Sequence, residues 1–337
     1  MSRRYTFRIP ASTSNLGAGF DALSLALQRY LRVTLEIPLP MGEGGRAQGA
    51  AGEGSRAETS SHTNPHPALR ASLSQGEKIV ARGVDAELIP KGQDNLILRV
   101  ANRVAEARGR APLPAFRIII DNEIPIARGM GSSAAAIIAG ITCYELAAAD
   151  ELSEQELFRY ALEFEPHPDN LAAAYRGGLV ANAVAAGGHV LIAKLSVADG
   201  IRPVLVIPAF GLSTEKARSV LPQTYSRNDA VYNIQRSALT IAALTTGNWP
   251  MLGEAMRDRI HQPYRAPLVP GFEEILALNV SGLYGVALSG AGPTVLAFAR
   301  QEEEENVGRA IVSVFEKHGV KATPAILNID TEGRVWQ

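Results

Sequence analysis

Gly129 and Gly131, followed at once by Ser132 and Ser133, lie between the β-branched run Phe116 to Ile120 and the proline-free, alanine-rich stretch Ala134 to Ala148. Glycine lets backbone approach a ligand closely, and a helix's first turn offers unpaired N–H groups and the positive end of its dipole. The spacing is therefore that of an anion cradle. Its candidate residues are Pro125, Ile126, Ala127, Arg128, Gly129, Met130, Gly131, Ser132, Ser133, Ala134 and Ala135. The plain alternative is a strand-to-helix turn with a serine N-cap. No G-x-x-x-x-G-K-[ST] run occurs and no lysine follows Gly131, so this is not a Walker loop.

A second cluster is Glu165-Pro166-His167-Pro168-Asp169-Asn170, ionisable and amide side chains broken by two prolines. It reads either as site chemistry or as a helix stop with an Asp or Asn N-cap for a helix from Leu171 to Tyr175. A third is Asn15-Leu16-Gly17-Ala18-Gly19-Phe20-Asp21. Tyr5, Phe7 and Ile9 alternate as a strand that Pro10 stops, and the run Ala22 to Leu27 precedes a second strand at Leu31 to Ile37. If that run is helical, Gly17, Gly19, Ala22 and Glu36 satisfy the looser nicotinamide-dinucleotide fingerprint, making an oxidoreductase the alternative from a different class. Against it, five residues separate Pro10 from Leu16, where the fingerprint requires strand to run directly into turn. Ser289-Gly290-Ala291-Gly292-Pro293 is a tight turn between apolar runs Tyr284 to Leu288 and Thr294 to Phe298. Arg218 and Arg236 lie on or beside apolar helical faces; such arginines either pair with surface carboxylates or grip a substrate carboxylate in bidentate fashion.

The elements that must hold these residues alternate along the chain. Lys78 to Val84 reads as a strand, and Pro90 to Asn95 as a turn into a helix from Leu96 to Ala107 with Asp94 or Asn95 as N-cap. Leu152 to Glu165 is amphipathic and opens with the capping box Ser153-Glu154-Gln155-Glu156. Leu179 to Ala185 and Val190 to Leu195 form a hairpin, and Arg202 to Pro208 a strand. Thr214 to Val220, Ala230 to Thr245, Trp249 to Arg259 and Phe272 to Leu278 read as helices. Residues 41–76 contain seven glycines and no Val, Ile or aromatic residue, too little apolar area to offset ordering entropy, and read as a loop inserted between strands. His62 and His66 within it have metal-ligand spacing, but Pro65 and Pro67 oppose the helix that spacing needs.

With 337 residues the chain can bury a large core in two domains or one large α/β unit. Lys+Arg 33 against Asp+Glu 34, net charge -1, excludes a field that would favour nucleic acid or an anionic membrane. The single cysteine, Cys143, reads as a buried structural thiol, and a reducing cytoplasm fits it. No apolar window approaches membrane-spanning length.

Taken together, the segments at 15–21, 129–135 and 289–293 resemble the three signature motifs of the GHMP kinase superfamily, in order, with Met130 where the second motif has Leu. Within it, Ile9 to Asp21, His167-Pro168-Asp169-Asn170, Asp258 to Arg265 and Ala287 to Thr294 resemble the homoserine kinase family most closely. Pro166 departs from the family, which often has Gly there, and the insertion is long. The resemblance implies an α+β fold of two domains: a ribosomal protein S5 domain 2-like unit at 1–195, carrying the insertion, and a ferredoxin-like unit at 196–337. It implies ATP and Mg²⁺, L-homoserine as acceptor in threonine synthesis, and a homodimer. Backbone N–H groups of the cradle would hold phosphates, with Ser133 and Glu165 as metal ligands and Glu163 as fallback. Arg218 and Arg236, with Thr214, would grip the substrate carboxylate; Asp21 or Asp169 would hold its ammonium, Asn15 would orient its hydroxyl, and His167 and Asn170 would line the pocket. Asn95 would contact adenine or ribose, or be only an N-cap. No general base is assigned, since a loose phosphoryl-transfer transition state needs little base assistance.

Overall fold

A computed structural model describes residues 2–38, 78–113 and 116–336. The expected insertion at 41–76, with His62 and His66, lies outside them. Two long antiparallel strands dominate the first half. β1 (Ser2–Asn15) pairs with β2 (Gly19–Pro38) along nearly its whole length, with register shifts at Pro10/Ala11 and Ser14/Asn15. Pro10 therefore does not stop the strand; it sits at an irregularity, where a residue with no N–H is tolerated. Nor is Ala22 to Leu27 the helix that a dinucleotide-binding unit would need. That run is the middle of β2, paired on one edge with β1 and, at Leu23 to Leu25, on the other with a later strand. Without a helix after Gly17 and Gly19, the dinucleotide fingerprint loses the element on which its pyrophosphate would rest.

β3 (Lys78–Gly83) runs parallel to β4 (Arg117–Asn122), connected through α1 (Leu96–Ala107). Asn95 caps α1, accepting from the N–H groups of Ile97 and Leu98. α2 (Ser132–Ala148) is apolar on all sides and correspondingly buried, with Gly140 admitting the Ile97 carbonyl of α1. Cys143 is buried and free in it, and burial pushes its thiol pKa up. α3 (Glu154–Ala161) carries the expected capping box but ends before Glu165. α4 (Pro168–Arg176) begins three residues earlier than expected, with Pro168 in its first turn and His167 at the N-cap making no side-chain cap. Pro preset for helical φ explains the early start and puts Asp169 and Asn170 inside the helix. The hairpin β5 (Leu179–Val184) and β6 (Val190–Leu195) completes this side of the sheet.

The second sheet has strand order β10-β7-β9-β8, all antiparallel: β7 (Ile201–Pro208), β8 (Leu283–Leu288), β9 (Val295–Arg300) and β10 (Ala322–Ile326). With helices between β7 and β8 and between β9 and β10, this is the ferredoxin-like arrangement. The helices are α5 (Thr214–Ser219), α6 (Arg227–Thr246), α7 (Leu252–Ala255), α8 (Gln262–Arg265), α9 (Phe272–Leu276) and α10 (Glu304–Lys317). The helix expected from Trp249 to Arg259 breaks after Ala255. Asp258 then accepts from the N–H groups of Ile260, His261 and Gln262 and nucleates α8 instead. Finally β11 (Val335–Trp336) returns to pair with β1 in the first sheet.

Candidate active site

The first turn of α2 begins at Gly131, which has φ 71° and is the N-cap, so neither serine caps the helix. A Cβ on Gly131 would lie 2.1 Å from the Ser12 hydroxyl, and one on Gly129 (φ 76°) 2.2 Å from the Ser289 carbonyl oxygen. Those close approaches require glycine. They arise because the loop lies between the end of β1 and the β8–β9 turn. The Ser12 N–H donates to the Met130 carbonyl, and the Ser289 hydroxyl donates to the Gly129 carbonyl at 2.7 Å. The Gly290 N–H donates to the Ser14 carbonyl, and the Asn15 amide donates to the Gly290 carbonyl at 2.8 Å. All three glycine segments thus meet at one place.

They line a cavity of about 450 Å³, within the usual size of a small-molecule site. Ile126, Ala127, Gly129, Met130, Gly131, Ser132, Ser133 and Ala134 line it; Pro125, Arg128 and Ala135 do not. Arg128 turns away and donates to the Pro208 carbonyl. The Ser133 side chain is exposed, with no partner among the described residues. Glu165 holds one carboxylate oxygen against His167 Nδ1 at 2.9 Å. Glu163 is instead engaged by Arg103, bidentately, and lies outside the lining. Asn95 lines the cavity, but both ends of its amide are used: Oδ1 caps α1 and Nδ2 donates to the Pro90 carbonyl.

Asn15, Asp21, His167, Asp169, Asn170, Thr214 and Arg218 also line the cavity, as expected. Asn15 accepts the Asp21 N–H on its side-chain oxygen. Asp21 and Arg218 form a bidentate pair, at 2.7 and 3.2 Å, which leaves Arg218 Nε buried without a partner. Asn170 bridges Ser12, Ser14 and Asp169. Asp169 is buried, and burial together with the negative charge of Asp21 pushes its carboxyl up to about 6.

Arg236 does not join them. It ion-pairs with Glu254, lies over the Tyr232 ring and is outside the cavity lining. The second guanidinium of the cavity is Arg265, buried at the end of α8. Its Nε donates to the Ala217 carbonyl at 3.0 Å and its Nη1 to the Gly290 carbonyl at 3.2 Å, while Nη2 has no protein partner among the described residues. Burial, then the nearby Arg218 charge, pushes its pKa down to about 10, still charged at neutral pH. Phe20 lies under both guanidiniums, 5.4 Å from Arg218 and 5.3 Å from Arg265. Sequence reading assigned no role to Phe20 or Arg265. The available signal was the dense polar run Asp258 to Arg265, which carries too many charges for a routine surface turn.

The GHMP kinases N terminal domain family matches residues 95–178 and the GHMP kinases C terminal family residues 240–317. Over 317 residues the chain is 38% identical to the homoserine kinase of Moorella thermoacetica, covering 94% of each. It is 40% identical over 320 residues to that of Solibacter usitatus, covering 94% of this chain and 91% of the relative. Among solved structures, homoserine kinase from Cytophaga hutchinsonii superposes with TM-score 0.76 at 23% identity, covering 99% of this chain and 97% of that one. The putative homoserine kinase of Listeria monocytogenes superposes with TM-score 0.67 at 27% identity, covering 99% of both. With both family domains present, full-length relatives well above 30% identity and the three glycine segments built into one cavity, this chain belongs to the homoserine kinase family of GHMP kinases.

Proposed function

We propose that this protein transfers the γ-phosphoryl group of ATP to the hydroxyl of L-homoserine, giving O-phospho-L-homoserine for threonine synthesis. The observation that carries the acceptor assignment is the buried Arg265 guanidinium, whose Nη2 has no protein partner among the described residues, beside Arg218 in the cavity that also holds the anion cradle. A buried donor without a partner is costly, and a substrate carboxylate removes that cost. Asp21 and Asp169, in the same cavity, supply the negative charge that an ammonium needs. Sugar acceptors offer neither group. Thr214 stands beside the carboxylate end, His167 and Asn170 line the wall, and Asn15 is the candidate for orienting the hydroxyl with its remaining amide N–H.

The loop from Gly129 to Ser133 holds phosphate oxygens with backbone N–H groups at the start of α2. Ser133 and Glu165 fit Mg²⁺: a hydroxyl without a partner and a carboxylate with one oxygen occupied are hard oxygen donors, few enough to leave room for waters. Bound by these two residues, the ion would supply charge neutralisation for the phosphates. Asn95 is the candidate contact for the adenosine end, beside its role in capping α1. Division of the chain into units at 1–195 and 196–337 is part of the same proposal. The two sheets support it, with the terminal strand at 335–336 crossing back to the first. Cytoplasmic location and homodimeric assembly rest on the family relation alone.

Coupled ADP release tests the assignment. Turnover with L-homoserine and Mg-ATP is expected, lost with EDTA and not replaced by mevalonate or galactose. Thermal stabilisation by NAD⁺ and none by Mg-ATP, or turnover with one of the other acceptors instead, overturns it.

A further inference from the structure

His261 is fully buried behind the acceptor end of the cavity and lines no part of it. Its ring is stacked on Phe20, with centroids 5.0 Å apart at 20°. Nε2 lies 2.8 Å from the Gly17 carbonyl oxygen and Nδ1 lies 3.1 Å from Nη1 of Arg265. The chemistry of those partners decides the tautomer. A carbonyl oxygen only accepts, so Nε2 carries the proton; a guanidinium only donates, so Nδ1 presents its lone pair. The imidazole is thus neutral, and its surroundings favour that form. Burial and the Arg265 charge oppose protonation, while Asp258, 3.7 Å from Nε2, and the more distant Asp21 act the other way; the net direction is a lowered pKa.

We infer that His261 is a positioning residue for the acceptor's carboxylate, acting through Arg265 and never touching the substrate itself. A free arginine has five N–H donors and swings on a flexible stem. In Arg265, Nε is fixed by Ala217, one Nη1 hydrogen by Gly290 and the other by His261. Three of five donors are committed, which fixes the plane of the fork and leaves the Nη2 pair for a ligand. The other ring nitrogen ties the same imidazole to Gly17, two residues after Asn15 and four before Asp21, the partner of Arg218. One neutral ring therefore sets the position of Arg265 relative to the loop that carries the rest of the acceptor site. Orientation of this kind acts on binding of one substrate and leaves the other alone.

The inference rests on the acceptor reading above, and the experiment separates the two. Three substitutions are compared by steady-state kinetics with both substrates: His261→Phe, which keeps the ring and loses both nitrogens; His261→Gln, whose amide replaces Nε2; and His261→Asn, whose oxygen replaces Nδ1. His261→Phe and His261→Gln should raise the KM for L-homoserine by about 10- to 100-fold, the expected consequence of losing one hydrogen bond to a charged group. The KM for ATP and kcat at saturating homoserine should stay near wild type, and His261→Asn should recover most of the loss. Nitrogen NMR of wild-type enzyme at neutral pH should find a neutral ring protonated on Nε2. Equal rises in both KM values, an unchanged homoserine KM in His261→Gln, or a ring protonated on Nδ1 overturns the inference. Absence of any homoserine turnover in wild type instead overturns the acceptor reading. If His261→Phe does not fold, the contrast between Asn and Gln decides the matter alone.

Discussion

At the scale of single residues, the carboxylate grip separates what spacing can and cannot disclose. Arg218 and Arg236 were legible as arginines beside apolar helical faces, but both such arginines need not face the same way. Arg236 spends its charge on Glu254 and its plane on Tyr232, outside the cavity. Arg265 was not legible, because its burial depends on Ala217, Gly290 and His261, partners from 4 to 48 positions away. The two arginines should therefore separate by mutation. Arg265→Ala leaves the substrate carboxylate, His261 Nδ1 and the Ala217 carbonyl without their donor, a loss of about 2–5 kcal/mol, or at least about 30-fold in KM for L-homoserine. Arg236→Ala removes an ion pair that lies outside the cavity, so it should lower stability while its homoserine KM stays within about fivefold of wild type. Steady-state kinetics with each substrate varied checks both. A large homoserine effect in Arg236→Ala together with a small one in Arg265→Ala would return the role to Arg236.

At the scale of elements, local pattern located α1, α2, the β5–β6 hairpin and the β8–β9 turn to within a few residues, because each has its own caps, turn residues or apolar period. It failed in β2. Ala22 to Leu27 has the composition of a helix, and only pairing with β1 and β5 makes it a strand, so tertiary contacts override propensity there. α10 lies outside that local reading although Val307, Ile311, Val314 and Phe315 have helical spacing. The glycine loop was legible as a cradle, but what confines it was not. Gly129 and Gly109 make a matched test, since both have positive φ, 76° and 65°, yet nothing lies within 4 Å of a Cβ on Gly109. Gly109→Ala should lose only the backbone term, about 1–2 kcal/mol, with unchanged kinetics. Gly129→Ala carries that same term and forces a Cβ to 2.2 Å from the Ser289 carbonyl and 2.8 Å from that of Gly292. It should unfold at clearly lower denaturant and raise the KM for ATP. Equal stability losses in the two variants would mean the loop is free to move away from the β8–β9 turn.

At the scale of the whole molecule, residues 328–336 fasten onto the first sheet, something no local pattern in that short polar stretch announces. Asp330 accepts from Tyr30, Glu332 and Gly333, and Ile329 bridges to Leu27. Arg334 then reaches Glu145, late in α2, with both side chains almost wholly buried at 4% and 7% exposure, and lies over Tyr175 of α4. The tail thus ties down the far ends of the two helices whose first turns supply the cradle and the His167–Asn170 wall. Removing one partner of such a pair leaves a buried charge, so Arg334→Ala should destabilise by about 3–5 kcal/mol. The loss also has a pH signature. Burial already pushes the Glu145 carboxyl pKa up, and Arg334 is what opposes it. Without the arginine the folded-state pKa rises further above its unfolded value, so folding takes up a proton at Glu145. The deficit of Arg334→Ala is then greatest at alkaline pH and shrinks as pH falls and the carboxyl protonates. Replacing both partners, Arg334→Met with Glu145→Gln, should recover most of the stability and flatten the difference across pH. Urea midpoints of wild type, single and double variants at several pH values check this; a deficit that is independent of pH and survives in the double variant would show that Arg334 acts by packing on the rings it lies over, Tyr175 at 4.9 Å and Trp336 at 4.5 Å, not by neutralising Glu145.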